Sequence, residues 1–315
     1  MTTQFKLAAA LILSGMIVAG CQKPADKAEA PAAPAAPAAQ PVASTDIYPF
    51  QIGALQAVAL KDGTMSVPLA DTPWSDHAGV RQVLTAAGLP GDTVNLSIQP
   101  LLLRDGDRVV LIDTGNGAGG TPAGHLMTSL REAGVQPAQV TDVLISHAHG
   151  DHVGGLVGTD GKLSFPNATI RMSAAEWDYA KAGAEAAGAG PLLAAITPRV
   201  ETFEPGAQVT PSITAVALQG HTPGHTGYEI VSGQDRLLYL GDALHSSVIS
   251  VERPDFVNTW DSDSDAAIAT RLALLGRGAT QSLRVYGVHF PFPGLGAFRR
   301  QDDGFVWVPE VAAQP

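Results

Sequence analysis

Positions 147–152 read His-Ala-His-Gly-Asp-His and bring three imidazoles and one carboxylate into one short segment. Imidazole nitrogens and carboxylate oxygens are the groups that bind Zn²⁺ and related divalent ions in proteins. The segment follows the apolar run Val143-Leu144-Ile145 and contains a glycine, a pattern typical of a buried strand that ends in a turn. We therefore favour a metal site over a solvated loop that happens to be rich in histidine.

The spacing of these residues indicates more than one ion. The run Val140–Ser146 predicts a strand, and residues two apart that leave a strand point to the same side. His147 and His149 can therefore meet on a single cation. Asp151 and His152 are carried round by the intervening glycine and are directed toward a neighbouring position. The four donor side chains of this segment face one cavity at two neighbouring positions, which predicts two cations.

Later motifs make the chain resemble the metallo-β-lactamase superfamily from about Asp46 to Pro309. His147-x-His149-x-Asp151-His152 is followed by Gly220-His221-Thr222-Pro223-Gly224-His225-Thr226, Leu240-Gly241-Asp242 and His289. Within the superfamily the chain is most similar to methyl parathion hydrolase and lactonase-like members. That narrower resemblance rests on Leu163-Ser164-Phe165-Pro166-Asn167-Ala168, Asp261-Ser262-Asp263-Ser264-Asp265 and His289-Phe290-Pro291-Phe292-Pro293-Gly294-Leu295-Gly296.

The resemblance implies two metal ions that share one carboxylate. It assigns the ligands as His147, His149 and His225 for one ion, Asp151, His152 and His289 for the other, and Asp242 as the bridge. A carboxylate can span two cations about 3.5–4 Å apart, whereas an imidazole normally binds one ion through one nitrogen. The ligand types suit Zn²⁺ first, with Mn²⁺, Co²⁺ and Fe²⁺ as alternatives.

Three further residues have competing interpretations. His221 and His225 flank the same Thr-Pro-Gly turn, and the family pattern favours His225 as the ligand, which leaves His221 as a supporting residue. In relatives an aspartate at the position of Asp113 braces a metal-binding histidine; the alternative is a turn-forming Asp-Thr-Gly. His245 lies three residues after Asp242, where it could contact substrate, shuttle a proton or simply be solvated.

The proposed chemistry is hydrolysis by a water that the two metals share, with Asp242, Asp151 and His245 as the catalytic candidates. An aromatic side chain near the ligand His289 is the expected substrate contact, and we select Phe290 and Phe292. The other aromatic candidates are Trp74, Phe165, Trp177, Tyr179 and Trp260. The leading substrate is a lactone or carboxylic ester such as an acyl-homoserine lactone, ahead of a phosphotriester and then a β-lactam. A metal-binding surface lipoprotein without turnover is the alternative from another class.

The N-terminus predicts export. Cys21, the single cysteine, follows Lys6, the apolar stretch Leu7–Val18 and the small residues Ala19 and Gly20. This pattern resembles a bacterial lipoprotein signal that is removed before Cys21; an ordinary secretory leader that yields a soluble periplasmic protein is the alternative. We expect residues 1–20 as the signal, an Ala/Pro-rich tether over 21–45, and a lipid anchor in the membrane facing the periplasm. By analogy with lipoprotein sorting, Gln22 favours the outer membrane.

The remaining residues, 46–310, are enough for one large hydrolase domain, and 45% of the chain is apolar. Strand-like and helix-like runs alternate, which indicates an α/β fold; the resemblance specifies a four-layer αββα sandwich. Loss of residues 1–20 removes one lysine and no acid, so the net charge moves from −11 to −12. A chain this acidic, with no cluster of Lys and Arg, disfavours a nucleic-acid substrate. Oligomeric state is left open by the sequence.

Overall fold

The computed structural model describes residues 45–118, 123–184 and 188–311. Most of this part of the chain belongs to strands and helices. The strands in chain order are β1 (Ile47–Ile52), β2 (Leu55–Leu60), β3 (Gly63–Pro68), β4 (Thr93–Ile98), β5 (Leu101–Asp105), β6 (Arg108–Ile112), β7 (Asp142–Leu144), β8 (Thr169–Ser173), β9 (Val200–Phe203), β10 (Gln208–Thr210), β11 (Ile213–Ala217), β12 (Thr226–Ser232), β13 (Asp235–Tyr239), β14 (Arg284–Tyr286), β15 (Leu295–Gln301) and β16 (Gly304–Pro309). The α-helices are α1 (His77–Ala86), α2 (Leu126–Glu132), α3 (Gly150–Val153), α4 (Ala174–Gly183), α5 (Gly190–Ile196), α6 (Ile249–Glu252) and α7 (Ser264–Gln281).

These strands form two seven-stranded sheets and one two-stranded sheet. The first sheet has the order β1-β2-β5-β6-β7-β8-β9, and its last three pairings are parallel. The second sheet runs β10 to β16 in sequence order and is antiparallel except between β13 and β14. Strands β3 and β4 pair separately as a two-stranded antiparallel sheet, which packs with α1 around Leu84, Val94 and Leu96.

Alternate residues of each strand face different layers, which follows from the two-residue period of a strand. In β5, Leu101 and Leu103 face the second sheet and pack with residues such as Tyr228 and Tyr239. Leu102, between them, faces the opposite way and packs against α2 and α5. The outer face of the second sheet packs in the same manner against α6 and α7. The result is helices, two sheets and helices, so the predicted αββα sandwich is confirmed.

The sequence located most elements but misplaced some boundaries. The strand predicted over Val140–Ser146 is shorter and spans Asp142–Leu144. Pro100 lies between the end of β4 and the start of β5 and separates them into two strands. Helix α7 begins after its N-cap Asp263, whose side chain accepts the backbone N–H of Ala266.

The predicted signal, Cys21 and the tether up to residue 44 lie outside the described residues. Within the part of the chain that is described, no helix has the length and apolar character needed to cross a membrane.

Candidate metal centre

The two sheets deliver the candidate ligands to one edge of the sandwich. In the first sheet, β7 ends just before Ile145 and Ser146, which lead into the loop with His147 and His149. The short helix α3 follows at once and carries Asp151 and His152. In the second sheet, β12 is antiparallel to both β11 and β13, so β11 and β13 run in the same direction. β14 is parallel to β13, and the carboxyl ends of β11, β13 and β14 therefore lie on the same side. The loops after these strands carry His221, Asp242 and His289.

The first group of ligand atoms contains His147, His149 and His221. The Nε2 atom of His221 lies 3.2 Å from Nε2 of His147 and 2.9 Å from Nδ1 of His149. Nε2 of His147 and Nδ1 of His149 are 3.0 Å apart. The Oδ2 atom of Asp242 completes the group at 3.6 Å from His147 and 3.4 Å from His221.

The second group contains Asp151, His152 and His289. Oδ2 of Asp151 lies 3.7 Å from Nε2 of His152 and 3.5 Å from Nε2 of His289. The other carboxylate oxygen of Asp242, Oδ1, lies 3.1 Å from each of these two imidazole nitrogens. Asp242 therefore turns one oxygen to each group, which is the placement that a bridging carboxylate needs.

The nitrogen and oxygen atoms of the two groups are arranged to bind divalent cations rather than to hydrogen-bond with one another. Buried polar atoms are normally hydrogen-bonded, yet Nε2 of His152 and Oδ1 of Asp242 make no hydrogen bond, nor does Nε2 of His245. The ligand atoms within each group all lie within 4.8 Å of one another. Nitrogen and oxygen lone pairs that converge in this way, with no thiolate among them, suit two divalent metal ions.

The structure places His221, rather than His225, beside His147 and His149, contrary to the expectation from the family pattern. Both ring nitrogens of His225 are already used: Nδ1 donates to the Leu218 carbonyl at 2.9 Å, and Nε2 accepts the backbone N–H of Asp242 at 2.8 Å. Burial, with a further effect of nearby His221, lowers the pKa of His225 to about 3, so the ring is neutral and able to accept. His225 holds the backbone at Asp242 instead of facing the cation position.

Gly241 makes this contact possible. Its φ of +51° lies in the left-handed region, and a Cβ there would lie 2.5 Å from Nε2 of His225. Any larger residue before Asp242 would push the bridging carboxylate away from the site.

Asp113 lies where the resemblance implies it, against His152. Its Oδ2 is 2.7 Å from Nδ1 of His152 and also accepts from the hydroxyls of Ser146 and Tyr239. In the neutral ring, an Nδ1–H donated to this carboxylate leaves Nε2 of His152 unprotonated and directed at the site. Asp113 is wholly buried, with a φ of +60°.

The two groups differ in how they hold protons. Burial lowers the pKa of His147 well below its usual range and that of His149 to about 4. Burial opposes the protonation of His152 and His289 too, but the carboxylates of Asp242 and Asp151 outweigh it and raise their pKa values. A cation that binds the second group must therefore displace protons, while the first group is ready to bind.

His245 lies against Asp242 and is only 1% exposed, so it is not a solvated loop residue. Its Nε2 is 3.2 Å from Oδ2 of Asp242, and its Nδ1 is 3.2 Å from the side-chain nitrogen of Asn258. Its ring stacks on that of His289 with centroids 5.9 Å apart.

A cavity of about 440 Å³ opens on the two groups. Besides the ligands it is lined by Met65, Asn116 and Trp260, the last of which was one of the aromatic candidates. Phe290 is not a lining residue: it is fully buried against Trp307 on the outer side of the second sheet. Phe292 lines a neighbouring cavity, of about 460 Å³, which shares His289 with the first.

Two buried carboxylates near the site were missed by the sequence reasoning. Glu176, on α4, accepts the Ala148 backbone N–H at 2.8 Å and the Thr222 hydroxyl at 2.6 Å, so it joins the two loops of the first group. Asp261 lies 3.1 Å from Nδ1 of His221. Asp261 stands in the Asp-Ser-Asp-Ser-Asp segment noted above, but its partner lies 40 positions away in the chain, and spacing alone does not reveal such a contact.

Comparison with known proteins agrees with this fold. Residues 96–289 match the metallo-beta-lactamase superfamily. An N-acyl homoserine lactonase of Bacillus cereus is 26% identical over 217 residues, which cover 62% of this chain and 80% of that protein. The solved structure of AidC, a dizinc quorum-quenching lactonase in complex with the product N-hexanoyl-L-homoserine, aligns with a TM-score of 0.79 and 31% identity over 84% of this chain and 97% of that one. The hydrolase AbOPH of the beta lactamase superfamily aligns with a TM-score of 0.76 and 29% identity over 84% and 98%.

The superfamily match covers more than half of the chain, so this protein belongs to the metallo-β-lactamase superfamily. It is a metal-dependent hydrolase, as the sequence predicted. The narrower resemblance to methyl parathion hydrolase stays a prediction.

Proposed function

We propose that this protein hydrolyses the ester bond of a lactone, of the acyl-homoserine lactone class, with two zinc ions held by His147, His149 and His221 and by Asp151, His152 and His289. Asp242, with one oxygen toward each group, would be shared by both ions. The observation that carries the proposal is the pair of ligand groups sharing one carboxylate at the floor of an open cavity. Mn²⁺, Co²⁺ and Fe²⁺ accept the same donors, and supply decides between them.

Similarity supports the substrate class. The Bacillus relative and AidC are both named as lactonases, and AidC carries the opened product of an acyl-homoserine lactone. Each of these proteins is at most about a third identical to this chain. Their activity is the basis of the proposal for this chain.

Two bound divalent cations lower the pKa of a water molecule and polarise the substrate carbonyl. The residues of this chain supply the positioning of the ligands and the proton transfer. Nε2 of His225 accepts the backbone N–H of Asp242. This contact holds the Asp242 carboxylate with one oxygen toward the first ligand group and the other toward the second. Asp151, whose side chain is 20% exposed and lines the cavity, and His245, against Asp242, are the proposed proton carriers to the ring oxygen that leaves. Water adds across the C–O bond, and the product is a hydroxy acid.

The cavities suit a substrate with a polar ring and an apolar tail. Trp260 and Met65 border the metal groups and can pack against the ring. The neighbouring cavity, which shares His289, has a mixed lining whose apolar residues include Val248 and Phe292. Each methylene buried there contributes ~0.8 kcal/mol, which corresponds to about a fourfold change in affinity.

The test combines metal analysis with initial rates. The purified protein is assayed for bound metal and for hydrolysis of acyl-homoserine lactones, carboxylic esters, phosphotriesters and β-lactams. We expect two equivalents of metal and the highest kcat/KM on lactones, both of which Asp242→Asn should reduce. Asp178→Asn removes an exposed carboxylate on α4 and is the matched control, with wild-type rates expected.

A higher kcat/KM on phosphotriesters would transfer the assignment to that substrate class. Two equivalents of metal without metal-dependent hydrolysis of any of the four classes would instead favour a metal-binding protein without turnover.

We also propose that the chain is exported and anchored by a lipid on Cys21, facing the periplasm and in the outer membrane. The support is the signal-like stretch before Cys21 and the Ala/Pro-rich segment after it. Cys21→Ser should move the protein from the membrane fraction to the soluble fraction and abolish labelling by a fatty acid. Unchanged membrane association of this variant would refute lipid anchoring.

A further inference from the structure

A buried chain of polar groups leads from helix α7 to His221. Oδ1 of Asp261 lies 3.1 Å from Nδ1 of His221, and Oδ2 of Asp261 accepts Nη1 of Arg271 at 2.8 Å. The side chains of Asp261 and His221 are 0% and 2% exposed, and that of Arg271 is 4% exposed. A buried charge pair is costly to form, so the Asp261–Arg271 pair beside His221 indicates a functional role.

Arg271 also anchors the segment that carries Asp261. Its Nε donates to the Pro254 carbonyl at 3.0 Å and its Nη2 to the Phe256 carbonyl at 3.2 Å. The chain after Asp261 is attached to the ligand loop itself, because the backbone N–H of Ser262 donates to the His221 carbonyl at 3.0 Å. The carboxylate and the imidazole are therefore held together through both side chain and backbone.

We infer that Asp261 and Arg271 are positioning residues that fix the ring and the tautomer of His221, so that its Nε2 offers a lone pair to the first metal. An imidazole has only two nitrogens. When Nδ1–H is donated to Asp261, Nε2 is unprotonated and free to bind. Asp261 thus does for His221 in the first group what Asp113 does for His152 in the second.

Arg271 pairs with the Asp261 carboxylate through Nη1 and Oδ2 at 2.8 Å, and both side chains are buried. The guanidinium fork reaches one carboxylate oxygen and two backbone carbonyls at once, which a lysine cannot do with the same geometry. The anchoring and the charge therefore depend on arginine in particular.

The inference rests on the proposed metal centre, but it does not depend on the substrate. Asp261→Asn is the sharpest variant, because either orientation of the new amide sets an N–H group against a donor, His221 in one case and Arg271 in the other. Removal of a partner of this kind typically weakens metal binding about 10- to 100-fold.

The experiment uses the full chain, stripped of metal and titrated with Zn²⁺ against a chromophoric chelator. The binding step that His221→Ala removes identifies the first group. We expect Asp261→Asn to weaken this step about 10- to 100-fold and to leave the other step unchanged. Arg271→Met should weaken the same step, and the double variant should be no weaker than Asp261→Asn alone, since both act through one imidazole.

Asp263→Ala is the matched control two residues away. It removes the side chain that caps α7, so we expect a lower melting temperature with both zinc affinities unchanged. Wild-type affinities in Asp261→Asn would overturn the inference, as would equal weakening of both steps or additive losses in the double variant.

A measurement on the wild-type protein covers the case in which Asp261→Asn does not fold. In the zinc-loaded protein, nitrogen-resolved NMR of the histidine rings should show a protected proton on Nδ1 of His221, identified by its loss in His221→Ala. A Nδ1 proton that exchanges freely with water would overturn the inference. A wild-type protein that binds two zinc ions but hydrolyses no lactone would refute the proposed function and leave this inference intact.

Discussion

The Asp113 carboxylate is the best place to test how the second group is built, because it accepts four hydrogen bonds. Oδ1 accepts the Ser146 backbone N–H at 2.8 Å. Oδ2 faces the Ser146 hydroxyl at 2.7 Å, the Tyr239 hydroxyl at 2.8 Å and Nδ1 of His152 at 2.7 Å. The two hydroxyls can rotate to accept instead of donate, but a ring N–H cannot.

Replacement of Asp113 by asparagine should therefore change the tautomer of His152. The backbone N–H of Ser146 needs an acceptor, so the amide oxygen takes the place of Oδ1 and the amide nitrogen takes the place of Oδ2. Nδ1 of His152 then faces a donor and must give up its proton to Nε2, the nitrogen directed at the cation. The backbone is not disturbed, because asparagine tolerates the φ of +60° at this position at least as well as aspartate.

The magnitude follows from the loss of one charged, buried hydrogen bond. Such a bond contributes about 1.5–3 kcal/mol, which corresponds to a loss of about 10- to 150-fold in the zinc affinity of the second group at ~1.4 kcal/mol per tenfold change. The assay is the same chelator competition, in which the step assigned to His221 is an internal control. Tyr239→Phe is the matched variant: it removes one hydroxyl from the same carboxylate, keeps the ring that stacks on Tyr286, and should bind zinc nearly as the wild type does.

Wild-type zinc affinity at both steps in Asp113→Asn would refute the reasoning. It would show that the tautomer of His152 does not depend on this carboxylate. A loss in Tyr239→Phe as large as that in Asp113→Asn would show that general loosening of the site, rather than the tautomer, controls binding.

Three further predictions concern ligands, pH and substrate. His221→Ala should retain about one equivalent of zinc. His225→Ala should retain two equivalents and lose ~1–3 kcal/mol of folding stability, since it leaves a buried N–H without an acceptor. Metal analysis and denaturant unfolding measure these outcomes, and one equivalent of zinc in His225→Ala would reverse the choice of ligand. The pKa values of His152 and His289 are raised above the ordinary imidazole value of about 6.5, so protons compete for their nitrogens already near neutral pH. Zinc affinity of the second group and activity should therefore fall reversibly as the pH drops from about 7; full activity at about pH 5 after exhaustive chelation would contradict this. Val248→Trp should narrow the neighbouring cavity, so kcat/KM should fall for substrates with long acyl groups and stay normal for those with short ones. Equal losses for all acyl lengths would show that the acyl group binds elsewhere.

Much of this organisation could be predicted from the sequence because it depends on short-range spacing. The segment His147–His152 combines a strand end, a two-residue step and a helical turn, so its four donors are directed toward two positions by local geometry. The alternating apolar strands and the capped helix α7 are local signals of the same kind.

The choice between His221 and His225 shows where local signals stop. The two residues are the same type and flank one turn. What distinguishes them is the backbone N–H of Asp242, which occupies His225, and the carboxylate of Asp261, which faces His221. Phe290 and Phe292 show the same limit, since one packs in the outer core and the other lines a cavity.

By itself, the amino-acid sequence determined the types of the ligands and predicted two metal positions, since both follow from neighbours a few residues apart. Its alternating runs indicated an α/β fold, and the resemblance to a known superfamily implied the αββα arrangement. The tertiary structure alone decided which histidine completes the first group, which buried carboxylates orient the rings, and which aromatic side chains line the cavities. The contacts that place these histidines and carboxylates join residues 17 to 74 positions apart. The register of the two sheets brings such residues within hydrogen-bonding distance, and no periodicity along the chain encodes that register.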